Sequence, residues 1–200
     1  MHSTQTRHIG ILLFDGVEEL DAVGPWEVLS FWTQEYPDDG WSVSTFSDDG
    51  EAVMGAKGLR LGTHHSRDGV PGLQVLLHPG GPGTRRLLRD AEHLDWVRKQ
   101  RASVPLLASV CTGSLVYAAA GVLTGRPATT HWASLNLLSE LDPTVVTDVD
   151  ARFVDDGDVV TSAGVSAGID MALHLVARFA SAERAREVRR GIQYDPRPPV

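Results

Sequence analysis

The sequence around Cys111 constrains the fold more than any other stretch of the chain. Residues 105–110 are apolar apart from Ser109, as expected for a strand that is covered on both faces. Residues 112–120 are small, apolar and compatible with a helix. Small residues, Ser109 and Gly113, flank Cys111 and allow a strand and a helix to approach closely around a sharp turn. The pattern predicts a nucleophile elbow with sulfur in place of the serine oxygen.

Cys111 is the only cysteine in the chain. At such a turn, free N–H groups and the positive end of the helix would point at the thiol and stabilise its thiolate. The alternative is a buried core cysteine, because free cysteine is among the most buried residue types. The turn favours the reactive thiol. A single cysteine excludes an intramolecular disulfide and suits a reducing compartment, so we expect a cytoplasmic protein.

Composition limits the class of protein. A length of 200 residues, with 42% hydrophobic and 22% charged residues, predicts a soluble globular protein with one domain over residues 1–200. A formal net charge of −8 argues against nucleic acid as a partner, since DNA binding needs clustered Lys and Arg. The apolar runs are too short to span a membrane, and the N-terminus leads into a strand rather than a signal-type segment.

Apolar strands alternate with helices along the chain. We predict a helix beginning near Glu18 and interrupted at Gly24-Pro25, and one long final helix from about Ser166 to Arg190. The other predicted strands are 8–14, 41–46, 74–78, 128–132, 145–149, 151–154 and 159–161, with a hairpin turn at 156–157, and the other predicted helices are 84–101, broken near residue 90, and 133–141. This alternation predicts an α/β fold with a mostly parallel sheet and helices on both faces.

Ligands of such sheets bind beyond the carboxyl ends of the strands, where Cys111 also lies. The glycine-rich turn at 79–83 follows another buried strand at the same edge, and its backbone N–H groups can approach a ligand. We expect the N–H of Thr112, with an N–H from Gly80 or Gly81, to form an anion-stabilising cradle. The turn matches neither a dinucleotide fingerprint nor a phosphate loop.

A nucleophilic cysteine needs an acid or base partner. Glu18, Glu19 and Asp21 compete for this role, and Asp21 follows an apolar residue and is the acid expected to turn inward. The alternative is a surface acid at the start of a helix. His131 is a second candidate partner, or a supporting residue of the pocket, and Ser166 is a further supporting candidate. The histidines and Cys111 have no metal-ligand spacing, so no metal is expected.

Several motifs together resemble the ThiJ/PfpI superfamily, whose cysteine-elbow domains are related to glutamine amidotransferases, and the isocyanide hydratase branch in particular. The resemblance covers nearly the whole chain. The matching segments are residues 12–14, 19–21 with Pro25, 79–81, 109–114, 125–126, 128–132, 167–170 and 194–196.

The resemblance implies a flavodoxin-like sandwich and a homodimer. It implies Cys111 as nucleophile, on a strained backbone, and Asp21 as its acid/base partner, with a pKa closer to neutrality than that of a free Asp. The implied reaction is hydration of an isocyanide to an N-substituted formamide, without metal or organic cofactor. An apolar pocket, with Trp132, Val165 and Ile169 among its walls, would suit such small-molecule substrates.

Other activities of the superfamily are disfavoured by single residues. PfpI-type proteases have a histidine after the cysteine, where this chain has Thr112, and the glyoxalase and deglycase branch has a glutamate in place of Asp21. The sequence lacks the His-x-Glu of glutamine amidotransferases, and it ends before a helix-turn-helix module could fit. Two alternatives stay open: an enzyme acting on small aldehydes, and a non-enzymatic thiol sensor of ligands or oxidants.

Overall fold

Apolar strands build a central sheet in the computed structural model, which describes residues 6–197. The strands are β1 (Arg7–Leu12), β2 (Trp41–Ser47), β3 (Val53–Met54), β4 (Arg60–Leu61), β5 (His65–Ser66), β6 (Val75–His78), β7 (Leu106–Val110), β8 (Pro127–Ala128), β9 (Val146–Thr147), β10 (Phe153–Asp155) and β11 (Val159–Ser162). Seven of them form the main sheet in the order β10-β11-β7-β6-β1-β2-β5. All neighbours in it are parallel except β10 and β11, which form the predicted hairpin.

Helices cover the sheet in two groups. They are α1 (Glu19–Glu35), α2 (Thr84–Leu87), α3 (Ala91–Ser103), α4 (Gly113–Ala119), α5 (Leu135–Leu141), α6 (Ala167–Phe179) and α7 (Ala182–Gly191). Helices α1, α6 and α7 pack on one another, whereas α4 packs on α2, α3 and α5. This is an α/β, flavodoxin-like fold, and the predicted fold class is confirmed.

The sequence prediction of a break at Gly24-Pro25 is wrong, because α1 runs unbroken from Glu19 to Glu35. Both residues are buried where α1 packs against α6. A Cβ added at Gly24 would lie 3.0 Å from Ile169 Cγ1, and one at Gly168 would lie 3.2 Å from Pro25 Cγ. Close helix packing therefore outweighs the poor helix propensity of these two residues.

Two further elements differ from the predictions. The final helix is divided into α6 and α7 at Ser181, whose side chain caps α7 by accepting from the N–H of Arg184 at 3.0 Å. The strand predicted over 128–132 ends at Ala128, because the N–H of Thr129 donates to the side-chain Oγ1 of Thr161 in β11 at 2.9 Å instead of to a backbone carbonyl. The predicted extended tail begins at residue 194, and its last residues lie outside the described range.

Candidate active site

Cys111 follows directly on β7 and has a φ of 57°, in the left-handed region that non-glycine residues rarely adopt. Its N–H lies 3.1 Å from the carbonyl oxygens of both Ser162 and Ala163. Its own carbonyl accepts from Ser114 Oγ at 3.1 Å and Thr130 Oγ1 at 2.9 Å. These four contacts hold the strained conformation in place, and the predicted backbone strain is confirmed.

The small residues beside Cys111 are required by close packing. A Cβ added at Gly113 would overlap the carbonyl oxygen of His78, so α4 can begin here only with glycine. Ser109 pairs in register with His78 on the adjacent strand and is fully buried. The turn therefore carries Cys111 to the carboxyl edge of the sheet, as the sequence predicts.

Asp21, in the first turn of α1, is fully buried beneath the site. Its Oδ2 accepts the N–H of Gly80 at 2.9 Å, while Oδ1 is buried without a hydrogen-bond partner among the described residues. Burial raises the pKa of Asp21 to about 7, against the opposing effect of hydrogen bonds from Gly80 and the Cys111 thiol. The predicted pKa near neutrality is confirmed.

The Cys111 thiol differs from the sequence prediction of a stabilised thiolate. Burial, followed by the nearby Asp21 carboxylate, raises the pKa of Cys111 to about 12. The backbone N–H groups of Thr112 and Val165 act in the opposite direction. With Asp21 ionised, the proton therefore stays on sulfur near neutral pH.

The predicted cradle is also corrected. The N–H of Gly80 donates to Asp21, and the N–H of Gly81 donates to Thr112 Oγ1 at 2.9 Å. The N–H groups of these glycines therefore position the acid and the turn rather than donate to a ligand. The N–H groups near the sulfur belong to Thr112, as predicted, and to Val165, which has a φ of 48°. The sequence analysis expected Val165 as a wall of the pocket and did not predict a role for its N–H group.

Cys111 opens into a pocket of about 410 Å³. Its lining residues are Glu18, Gly81, Pro82, Arg85, Cys111, Thr112, His131, Ala133, Ser134 and Val165. Of the three expected apolar walls, only Val165 lines it: Trp132 is 77% exposed and Ile169 packs against Gly24. Two of the three named walls therefore lie outside the pocket, and Val165 is the one that is confirmed.

The two supporting candidates lie in different places. His131 lines the pocket, and its Nδ1 accepts the N–H of Ala133 at 3.3 Å, so it forms part of the wall next to Cys111. Ser166 does not line the pocket, and its Oγ accepts from Arg152 Nη2 at 3.4 Å. The side chain of Ser166 is therefore turned towards Arg152, outside the lining of the pocket.

The sequence analysis did not identify two charged residues of the pocket as site residues. Glu18, weighed only as a rival to Asp21, lies at the rim and forms an ion pair with Lys57. Arg85 lies on the opposite side of the turn, in α2. The sequence feature that could have identified Arg85 as a site residue is its position just after the glycine-rich turn.

Within residues 6–197, no three His, Cys, Asp or Glu side chains are grouped closely enough to hold a metal ion. In the same range, no helix is both long and apolar enough to cross a bilayer.

The chain is similar to several known proteins. It is 40% identical over 191 residues to an isonitrile hydratase of Pseudomonas putida, covering 96% of this chain and 80% of the relative. It is 31% identical to the transcriptional regulator GbdR of Pseudomonas aeruginosa, covering 90% of this chain but only 47% of the regulator. A crystal structure of a ThiJ/PfpI family protein from Pseudomonas syringae superposes with a TM-score of 0.87 at 31% identity, covering 97% of this chain and 77% of that one.

The DJ-1/PfpI family model matches residues 7–178, which include the turn at Cys111, the acid Asp21 and the lining of the pocket. Together with the isonitrile hydratase relative, this match shows that the chain belongs to the DJ-1/PfpI family.

Proposed function

We propose that this protein hydrates isocyanides to N-substituted formamides through a covalent thioimidate on Cys111, with Asp21 as acid and base. The observation that carries the proposal is the pair itself: the Cys111 thiol lies on the lining of a pocket and is hydrogen-bonded to the buried carboxyl group of Asp21. The hydratase relative supports the same chemistry.

In the first step the thiol adds to the terminal carbon of R–N≡C. Asp21 takes the proton from Cys111 Sγ, and the sulfur forms a bond to the carbon. Asp21 then delivers that proton to the same carbon, which gives R–N=CH–S–Cys111. A carboxyl group with a pKa of about 7 can both accept and return a proton near neutral pH.

In the second step Asp21 removes a proton from water while the oxygen adds to the thioimidate carbon. Asp21 passes the proton taken from water to the imidate nitrogen, which gives R–NH–CH(OH)–S–Cys111. The C–S bond then breaks, Asp21 transfers the hydroxyl proton to the departing sulfur, and the thiol is restored as R–NH–CHO departs. The sum is one isocyanide and one water to one formamide. The N–H groups of Thr112 and Val165 stabilise the sulfur as it leaves, because both favour the thiolate.

The test is to incubate purified protein with cyclohexyl isocyanide and to follow the formamide by mass spectrometry. We expect product with the wild type and none above background with Cys111→Ser. Asp21→Asn should lose turnover by at least about 10²-fold while Cys111 stays alkylatable. The intact mass of a rapidly quenched sample should show the isocyanide added to Cys111. Turnover that survives in Cys111→Ser would contradict the covalent mechanism.

The raised thiol pKa argues against the alternative of an oxidant sensor, which needs an exposed thiolate at rest. An aldehyde-directed enzyme predicts turnover of methylglyoxal instead of isocyanide, so the same assay with methylglyoxal distinguishes it.

A homodimer and a cytoplasmic location complete the proposal. Exposed apolar side chains on α1 and the neighbouring β3–β4 hairpin support the dimer: Leu20, Val23, Met54 and Leu59. Exposed apolar clusters of this kind mark association surfaces. Light scattering after size exclusion should give twice the chain mass of 21.6 kDa, and Val23→Glu should halve it.

A further inference from the structure

The pocket contains one guanidinium group that no carboxylate neutralises. Arg85 lines the pocket together with Cys111, and its Nη1 donates to the neutral hydroxyl of Thr84 at 3.0 Å. Among the described residues, no Asp or Glu oxygen lies within ion-pair distance of Arg85. Arg85 is exposed to solvent, so a ligand in the pocket can reach it.

The other charge on the lining is already compensated. The Glu18 carboxylate pairs with the ammonium of Lys57, which also lies 3.6 Å from Glu19 Oε2. Asp21 lies beneath the floor and is not part of the lining. A ligand beside Cys111 therefore meets one free cation, Arg85, among the charged side chains that line the pocket.

Besides Glu18, the polar side chains that share the lining with Arg85 are hydroxyl and imidazole groups. Ser134 brings a hydroxyl and His131 a ring whose Nδ1 is used by Ala133, and both lie on the lining. A planar guanidinium binds a carboxylate with two parallel hydrogen bonds, which a neutral ester or amide cannot accept.

We propose that Arg85 forms an anion subsite, and that the preferred substrates carry a carboxylate close to the group that reacts with Cys111. This inference rests on the proposed function for its reaction, so the preferred substrate class is that of isocyano carboxylates. Arg85 is a specificity-determining residue that binds the part of the substrate that does not react.

Alkylation of Cys111 tests the subsite without any assumption about isocyanides. Iodoacetate and iodoacetamide react with the same thiol at the same carbon and differ in the carboxylate. We divide the ratio of the iodoacetate rate to the iodoacetamide rate by the same ratio measured with glutathione. This normalised ratio cancels the intrinsic reactivity of the two reagents and any effect of Arg85 on the thiol itself. We expect this normalised ratio to exceed one in the wild type and to fall about tenfold in Arg85→Met.

Arg89→Met is the matched control, since it removes the same charge from an exposed arginine that does not line the pocket. Its ratio should equal that of the wild type. Arg85→Lys should give an intermediate ratio, because it keeps the charge and loses the planar fork. An unchanged ratio in Arg85→Met, or an equal fall in Arg89→Met, would overturn the subsite.

Potassium isocyanoacetate and its methyl ester then test the substrate class. With the wild type we expect a lower KM for isocyanoacetate than for its methyl ester. In Arg85→Met, kcat/KM for isocyanoacetate relative to that for the ester should fall about tenfold, mostly because KM for isocyanoacetate rises. Formamide from both compounds with no preference, and a flat alkylation ratio, would refute the subsite and leave the hydratase function standing. No formamide from either compound, with the alkylation ratio as expected, would refute the hydratase function and leave the anion subsite standing.

Discussion

The backbone of Gly80 is hydrogen-bonded to Asp21, in the first turn of α1, and to Glu18, the residue before that helix. Its N–H donates to Asp21 Oδ2 at 2.9 Å, and its carbonyl accepts the N–H of Glu18 at 2.9 Å. The turn after β6 thereby fixes the acid that faces Cys111. The glycine-rich turn serves to position the acid, although its sequence suggested a ligand cradle.

Gly80→Ala should disable the site without unfolding the protein. A Cβ there would overlap the backbone nitrogen of Thr112 and would lie 2.6 Å from Thr112 Oγ1 and 2.9 Å from Asp21 Oδ2, so the backbone after Cys111 and the side chain of Asp21 would both have to shift. A displacement of about 1 Å in a catalytic group can lower the rate by about 10²-fold, and we expect a loss of that size in kcat. Circular dichroism and the formamide assay measure the two effects separately.

Gly72→Ala is the control for this substitution. A Cβ at Gly72 meets nothing within 4 Å, so its activity should equal that of the wild type. Full activity in Gly80→Ala would show that turnover does not depend on Gly80 holding Asp21 in this position.

Asp21→Asn should stabilise the protein at alkaline pH. Burial raises the pKa of Asp21 from 3.8 to about 7, so between these values the folded state binds more protons than the unfolded state. The free energy of unfolding therefore falls as pH rises through this window, by a few kcal/mol, and Asn removes the cost because it has no charge. Urea unfolding at pH 4.5 and pH 8 should show a gain for the variant that is larger at pH 8.

Asp38→Asn removes a charge from an exposed position and serves as the control. Its effect on unfolding should be small at both pH values. A gain for Asp21→Asn that is the same at pH 4.5 and pH 8 would contradict the raised pKa.

Asp21→Asn should also make Cys111 react faster with iodoacetamide at pH 8. The Asp21 carboxylate is the second-largest cause of the raised thiol pKa, after burial. Each unit by which the pKa falls increases the thiolate about tenfold and lowers its nucleophilicity about threefold, a net gain of about threefold. Peptide mass spectrometry of Cys111 measures the rate. A slower rate in the variant would mean that Asp21 activates the thiol at rest.

Local patterns in the sequence were sufficient to predict the core of the site. The apolar strand, the small residues and the Ala-rich helix around Cys111 follow from residues within a few positions of one another. The inward turn of Asp21 was expected because Asp21 follows an apolar residue, Leu20. The strand and helix alternation predicts the parallel sheet in the same way.

Features that depend on distant partners were predicted wrongly. The thiol pKa depends on burial and on Asp21, ninety positions away in the chain, and the N–H groups of Gly80 and Gly81 are used by residues from two other segments. Helix α1 continues through Pro25 because α6 packs there. A local sequence pattern does not show which distant residues will pack beside it. Each of these wrong predictions therefore concerns a residue whose environment is set by a distant part of the chain.

The last prediction concerns a buried histidine pair below the site. His78 Nδ1 lies 2.8 Å from the carbonyl oxygen of Pro79, so this nitrogen carries the proton and donates it. His78 Nε2 then accepts from His93 Nε2 at 3.1 Å, and His93 Nδ1 accepts from Arg67 Nη2 at 3.4 Å. Both rings are neutral in this arrangement, because burial is the largest cause that lowers the pKa of His78 to about 3 and that of His93 to about 4.

Acid should therefore destabilise the protein through this pair. Between pH 4 and 6.5 the unfolded state binds more protons than the folded state, so the free energy of unfolding falls as pH is lowered, by up to about 1.4 kcal/mol per pH unit for each histidine. His93→Gln keeps an amide donor for His78 and cannot be protonated. The difference in unfolding free energy between pH 6.5 and pH 5 should shrink by about 2 kcal/mol in this variant. An unchanged difference in urea unfolding would mean that His93 is not held neutral, and the chain of hydrogen bonds to Pro79 would then have to run in another direction.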